Sequence, residues 1–191
     1  MKHFRPAIMA FFLLAIITGI VYPLLVTGIS QVLFPYQANG SLLKVNGQLI
    51  GSELIGQNFT QDKYLWGRPS ATGDHPYNAL ASGGSNLGPS NPDLLAAVKD
   101  RVTKLNATAM NPVPIDLVTS SGGGLDPEIS IASAYFQMAR IAKARGLSQD
   151  NVEDVINKYA KYPLFGILGE ARVNVLQVNL ALDNVKYEEA R

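Results

Sequence analysis

The sequence predicts an α+β protein in which a single N-terminal transmembrane helix is followed by one helix-rich extracytoplasmic domain carrying a small β-hairpin or sheet. Three observations carry that expectation. No Asp, Glu, Lys or Arg stands between Arg5 and Lys44, and the first part of that stretch is apolar on every helical face. Two short apolar runs flank Asn46-Gly47, the pair best able to take positive φ at both central positions of a type I′ turn. Beyond Pro92, apolar residues recur at helical spacing behind N-cap signals.

A spanning helix needs about 20 predominantly apolar residues, because a bilayer core roughly 30 Å thick offers the backbone no water. Pro6 to about Leu33 meets that need. Residues 1–6 are therefore expected in the cytoplasm, 7–33 as the anchor and 34–191 as the outer domain. Pro6 suits the first helical position, whereas Pro23 falls inside and predicts a kink near Thr18 to Pro23. Small residues at Ala15, Gly19 and Gly28 would let a neighbouring helix pack closely. A cleavable signal peptide has an apolar region of about 7 to 15 residues ending at an Ala-x-Ala-like site. This run is longer and offers only Gly28-Ile29-Ser30, so an uncleaved anchor is expected. Lys2 and Arg5 precede the run and no basic residue follows until Lys44, which predicts a cytoplasmic N-terminus.

Composition narrows the functions open to the outer domain. Lys2 and Arg5 are two of the 16 basic side chains, which leaves 14 against 15 acidic ones beyond the anchor. No basic field exists there to hold nucleic acid. With no cysteine and only His3 and His75, thiolate chemistry, disulfides and a multi-histidine metal site are excluded. No repeat or low-complexity tract occurs, and Asn174, Gln177 and Asn179 interrupt the second apolar maximum, so it is not a second span.

Phe34 to Ser41 mixes aromatic and turn residues where the helix leaves the membrane. Leu42–Val45 and Gln48–Ile50 form the hairpin around Asn46-Gly47, and Gly51 to Arg68 suits a strand and an irregular return. Pro69 to Pro92 is almost all turn formers; loops of that length inside a domain are usually functional or disordered, and its tyrosine and leucines favour an ordered surface loop. Asn91, Pro92 and Asp93 open a helix whose inner face is Leu94, Leu95, Val98, Val102 and Leu105. Ile115 to Val118 alternates like a strand. Asp126-Pro127-Glu128 repeats the cap, proline and acid pattern ahead of Ile131, Tyr135, Met138 and Ile141, with Gly146 as the C′ residue. Ser148 caps a helix using Val152, Val155, Ile156 and Tyr159, with Asp154 and Lys158 paired one turn apart. Val173 to Leu182 fits either period, and its length and alanine lean helical.

Phosphate-loop, nucleophile-elbow, zinc-protease and phosphorylated-aspartate signatures are all absent. Asp74-His75 lies near Ser70, Ser82, Ser85 and Ser90, which keeps a membrane-anchored outer-surface hydrolase as the alternative reading. Ser82-Gly83-Gly84-Ser85-Asn86-Leu87-Gly88 could form a backbone nest for an anion, but a turn-rich loop held by its own Ser and Asn side chains is the favoured reading. Within the long loop, Trp66, Gly67 and Arg68 join this phrase as the expected assembly and positioning residues: Arg68 is a rigid five-donor fork and Trp66 a large anchor. No catalytic or metal-binding residue is expected.

Several phrases together resemble one family. They are Gly56-Gln57-Asn58-Phe59, Trp66-Gly67-Arg68-Pro69-Ser70-Ala71, Tyr77-Asn78 with Ser82 to Pro92, Gly124-Leu125-Asp126-Pro127, and Leu168 to Leu176. The chain resembles the C subunit of the Kdp high-affinity potassium-transporting P-type ATPase. It departs from the usual pattern with Leu65 for Phe, Glu128 for His and Ala171 for Pro. The resemblance implies a non-catalytic accessory subunit that assembles with a potassium-channel-like A subunit and an ATP-hydrolysing P-type B subunit in a lipid membrane. It also marks Gln57, Asn58, Asp126, Gln137, Glu170, Arg172 and Asn174 as family motif residues. The family is described as a catalytic chaperone that raises the ATP affinity of the hydrolysing subunit, so ATP is expected through that partner and no cofactor on this chain. ATP is cytoplasmic while the charge bias puts this domain outside. Either the effect crosses the membrane, or the domain works at the outer mouth of the ion-conducting subunit.

Overall fold

A charge-free apolar run must close its backbone hydrogen bonds within itself, and here it does so as a helix. The computed structural model of the chain describes residues 3–184 and 187–189. Phe4–Leu33 is helical throughout, 30 residues with a mean hydropathy of 2.5, long and apolar enough to cross a membrane. It comprises α1 (Phe4–Ile16), a π-helical stretch (Ile17–Val21) and α2 (Tyr22–Leu33). The π-helical stretch falls where the kink was expected. Pro23 has no N–H for the carbonyl of Gly19, and the ladder adjusts: the Tyr22 N–H donates to Ile17 O, five residues back, while Thr18 Oγ1 donates to Leu14 O at 2.7 Å. Pro6 takes the third helical position, not the first, still among N–H positions that lack intrahelical partners. A Cβ at Gly19 or Gly28 would meet nothing within 4 Å. After Phe34 the short α3 (Pro35–Ala38) follows, and the side-chain amides of Gln31 and Asn39 pair reciprocally across it at 3.2 and 3.3 Å.

Two compact units result, one holding these helices as far as Leu42 together with Glu189, the other spanning Leu43–Glu188. The architecture is α+β. One three-stranded sheet has the order β2-β1-β6, from β1 (Leu42–Val45), β2 (Gln48–Ser52) and β6 (Glu188–Glu189). Asn46 (φ 49°) and Gly47 (φ 78°) make the left-handed hairpin turn that the sequence demands.

The larger unit's core lies around a second sheet of order β3-β5-β4, with β3 (Glu128–Ser130), β4 (Ala160–Lys161) and β5 (Arg172–Asn174). Both pairings are antiparallel, with Ile129 opposite Val173 and Ala160 also opposite Val173. Four helices pack there: α5 (Ile131–Phe136), α6 (Met138–Arg145), α7 (Gln149–Tyr159) and α8 (Val175–Leu182). Ile129, Ala134, Ile141, Val152, Ile156, Val173 and Val178 are buried together, and Leu65 joins them from the irregular stretch before the long loop. Preceding these, α4 (Pro92–Lys104) starts as expected, with Asn91 Oδ1 accepting from Asp93 N at 2.8 Å.

Further expectations need correction. Beyond Ser52, where β2 ends, the stretch to Arg68 holds no strand. The inner face read for α4 is only half-buried at Leu94, Val98, Val102 and Leu105 and exposed at Leu95, and Arg101 ties the helix down by donating to Val118 O at 2.7 Å. Ile115–Leu117 is a 3-10 turn instead of a strand, and its Asp116 carboxylate accepts from Ser130 N at 2.8 Å and from the hydroxyls of Ser130 and Ser133. Asp126 does not cap a helix, because its carboxylate is engaged by Arg68 and by the Glu128 N–H; the chain runs on as β3, and Ser130 is the cap, accepting from Ser133 N. Val173 and Asn174 belong to β5, so the last helix begins at Val175, capped by Asn174. Among the described residues Asp154 and Lys158 form no ion pair; Lys158 Nζ stands 5.8 Å from the Tyr159 ring centre. Gly146 (φ 66°) and the Ser148 cap follow expectation.

Candidate assembly site

A primary amide presents one acceptor and one donor side by side, as a peptide group does, so a buried Asn or Gln can pair with a residue's backbone like a neighbouring strand. Two buried amides do this to consecutive residues. Asn179, on α8, accepts from Leu65 N at 2.7 Å and donates to Leu65 O at 2.9 Å. Gln137, at the break between α5 and α6, accepts from Trp66 N at 2.9 Å and donates to Trp66 O at 3.1 Å. Gln137 also donates to Ser133 O and accepts from Arg140 at 2.6 Å, which fills its capacity at both ends. Arg140 in turn lies 3.8 Å over the Trp66 ring and donates to the carbonyls of Asp62 and Tyr64. Burial pushes its pKa down to about 10, with Asp62 opposing the shift. Trp66 is thereby fixed at backbone, indole face and Nε1, the last donating to Gln61 O.

Downstream, Arg68 donates to Asp126 at 3.1 Å, and its buried Nε has no hydrogen-bond partner among the described residues. Tyr77 donates from its hydroxyl to Arg68 O at 2.6 Å, and its ring lies where side chains on Gly56 and Gly67 would have to go. A Cβ at Gly56 would stand 2.4 Å from Tyr77 Cε1 and 2.6 Å from Asp126 O; at Gly67 it would stand 2.6 Å from the Tyr77 oxygen. Burial, then Asp126, raises the Tyr77 pKa to about 12, with Arg68 opposing. Gln57 braces the base of this layer by donating to Ile50 O at 2.8 Å. Gln57, Asn58, Trp66, Arg68, Tyr77 and Arg101 line a recess of about 580 Å³.

The glycine-rich phrase packs against a second glycine loop. Gly83 N and Ser82 Oγ both donate to Gly123 O at 3.0 Å, and Ser70 Oγ donates to Gly124 O at 2.7 Å. A Cβ on Gly84 would stand 2.9 Å from Gly122 O, and one on Gly124 (φ +67°) 2.5 Å from Thr72 Cγ2 and 2.9 Å from Gly83 O. These glycines serve close backbone approach, and the Gly83 N–H is engaged within the fold instead of converging on an anion nest. Ser85 and Asn86 (φ 52°) are exposed on the way to α4, where Gly88 O accepts from Asn91 N.

The remaining motif residues close the arrangement from behind. Asn174 caps α8 and donates to Glu53 O at 2.8 Å. Arg172 pairs with Glu128 at 2.6 Å, so the Glu128 carboxylate carries an ion pair. Glu170 and Arg172 share a recess of about 460 Å³ with Arg68, Asp126 and Asp116. Burial alone would raise the Asp116 pKa, but hydrogen bonds from Ser133 and Ser130 outweigh it and hold the group below its usual value. Among the described residues no hydrogen bond joins His75 to the serines near it in sequence: His75 is exposed and its imidazole makes none, while the hydroxyls of Ser70 and Ser82 serve backbone carbonyls. Sequence reasoning missed Asn179 and Arg140 as members of the site. The available signal was an amide placed within an apolar helix.

Residues 4–184 match the family model described as KdpC: K+-transporting ATPase, c chain. The chain belongs to the KdpC family. It is 56% identical over 188 residues to the Potassium-transporting ATPase KdpC subunit of Methylococcus capsulatus, covering 97% of this chain and 99% of that one. The protein of the same name from Polaromonas naphthalenivorans is 56% identical over 185 residues, 95% and 94% of the two chains. That from Herpetosiphon aurantiacus is 53% identical over 186 residues, 96% of each. The KdpC match thus takes in the long apolar helix, the amide clamps and both glycine loops.

Proposed function

We propose that the chain is a non-catalytic accessory subunit of an ATP-driven potassium-transporting complex, needed for assembly and for coupling hydrolysis to transport. Relatives that carry the KdpC name over nearly the whole chain supply the potassium-transporting context. One observation carries the non-catalytic part: the residues shared with the family phrases engage one another, Arg68 with Asp126, Gln137 with Trp66, Ser82 with Gly123, and among the described residues the His75 imidazole makes no hydrogen bond to a hydroxyl. Such a network holds a surface in one shape. Its partners are the channel-like A subunit and the P-type B subunit, and ATP acts through the latter without binding here.

In this reading the Phe4–Leu33 helix is an uncleaved span with the N-terminus in the cytoplasm and the domain outside, because Lys2 and Arg5 stand at its N-terminal end and the next basic residue is Lys44. Ala15, Gly19 and Gly28 are its close-approach positions for a neighbouring helix. The chain has no cysteine, so single cysteines at the exposed Leu49 and Asn151 report the layout cleanly. Both should react with a membrane-impermeant thiol reagent on intact cells. Protection of both until lysis would reverse the orientation.

A further inference from the structure

Between β4 and β5 the chain leaves the core as a small hairpin with an apolar tip. Phe165 and Ile167 are 83% and 80% exposed, Tyr162 65%, and Leu164 and Leu168 61% each. No charged residue occurs from Tyr162 to Gly169. Five large apolar side chains on one projecting loop are an unusual load to leave in water. Four of the turn's N–H groups are meanwhile occupied. Leu164 and Leu168 exchange both backbone hydrogen bonds at 3.0 Å, Gly166 N donates to Pro163 O at 3.0 Å, and Ile167 N donates to Leu164 O at 3.3 Å. Phe165 (φ 55°) and Gly166 (φ 74°) turn the chain tightly enough to close these bonds.

We propose that residues 162–168 are a membrane-insertion loop, seated in the interfacial layer of the lipid bilayer. The inference rests on the reading of the N-terminal helix as a membrane anchor. Three features select lipid over a protein surface. A hairpin whose N–H groups at 164, 166, 167 and 168 are internally bonded can enter an apolar medium without stranding those donors. From Pro163 to Leu168 the tip carries no polar side chain, whereas protein interfaces carry about one hydrogen bond per 100–200 Å². At its base stand Tyr162, with an apolar ring and a polar tip, and the exposed Lys158 and Lys161, which suit an anionic headgroup layer; Glu170 is the one opposing exposed charge on the other arm. Arg172, opposite Lys161 in the sheet, is paired with Glu128.

The test uses the full chain in vesicles of phosphatidylethanolamine and phosphatidylglycerol, with an environment-sensitive NBD label on single cysteines made by Phe165→Cys, Asn151→Cys and Val26→Cys. Nitroxide lipids carrying the spin label near the headgroup should quench the 165 label roughly twofold or more, with a blue shift, as expected for side chains about 5–10 Å into the interface. The 151 label should stay unquenched. Adding Leu164→Asp and Ile167→Asp to the 165-labelled chain should abolish its quenching. Quenching at 165 no greater than at 151 overturns the inference, and a blue shift at 165 without nitroxide quenching overturns it in favour of protein docking. Failure of lipid-tail nitroxides to quench the 26 label would overturn the anchor reading, and this inference with it.

Discussion

Gln137→Leu destabilises the domain that follows the apolar helix by about 3 kcal/mol or more, the largest effect expected of any single amide in the molecule. The substitution keeps the volume but leaves Trp66 N–H, Trp66 C=O and an Arg140 donor without their buried partner, and each stranded group costs roughly 1–3 kcal/mol. Trp66 is the only tryptophan, so its fluorescence reports unfolding from inside the clamp. In urea the midpoint should fall with little change of slope, the mark of lost stability in an unchanged native fold. A loss under about 1 kcal/mol would mean that water replaces the amide, and that the clamp is not what holds Trp66.

Gly124→Val should be of similar size for a different reason. The residue sits in the left-handed region, where an L side chain costs roughly 1–2 kcal/mol before any contact is considered. Its Cβ would also stand 2.5 Å from Thr72 Cγ2 and 2.9 Å from Gly83 O, so the two glycine loops must part. Gly88→Ala, in the glycine-rich phrase of residues 82–88, is the contrast, since nothing lies within 4 Å of the added carbon and its effect should stay within about 0.5 kcal/mol. Thermal unfolding of the two variants, with recovery of each in the membrane fraction, separates close approach from mere glycine content. Equal loss in both would refute the loop-packing account.

What could be read from the sequence was set by local chemistry. Asn46-Gly47 makes its turn, Asn91 and Ser148 cap their helices, Gly146 ends one, and the apolar run is one long helix, because each depends on neighbours within a few residues. The misreadings at Ile115, Asp126 and Val173 share one cause. In each, a distant partner claims the group that local pattern assigned: Ser130 and Ser133 take Asp116, Arg68 takes Asp126, and Ile129 on β3 pairs with Val173. The site was legible as words and not as contacts. Trp66, Arg68, Gln137 and the glycine phrase were all marked, yet the clamp joins residues 71 positions apart and the Arg68 pair residues 58 apart. The exposed tip at 162–168 escaped notice because a seven-residue apolar run reads like any buried strand.

If this chain supplies structure and no chemistry to an ATP-driven potassium-transporting complex, one measurement shows it directly. The complex is purified through an affinity tag on this chain, once unaltered and once with His75→Ala, and potassium-stimulated ATP hydrolysis is measured per assembled complex. His75 is exposed and without a side-chain hydrogen bond among the described residues, so both preparations should hydrolyse ATP at the same potassium-stimulated rate. An unaltered chain that brings down no such activity, or a fully assembled His75→Ala complex that has lost it, would contradict the account.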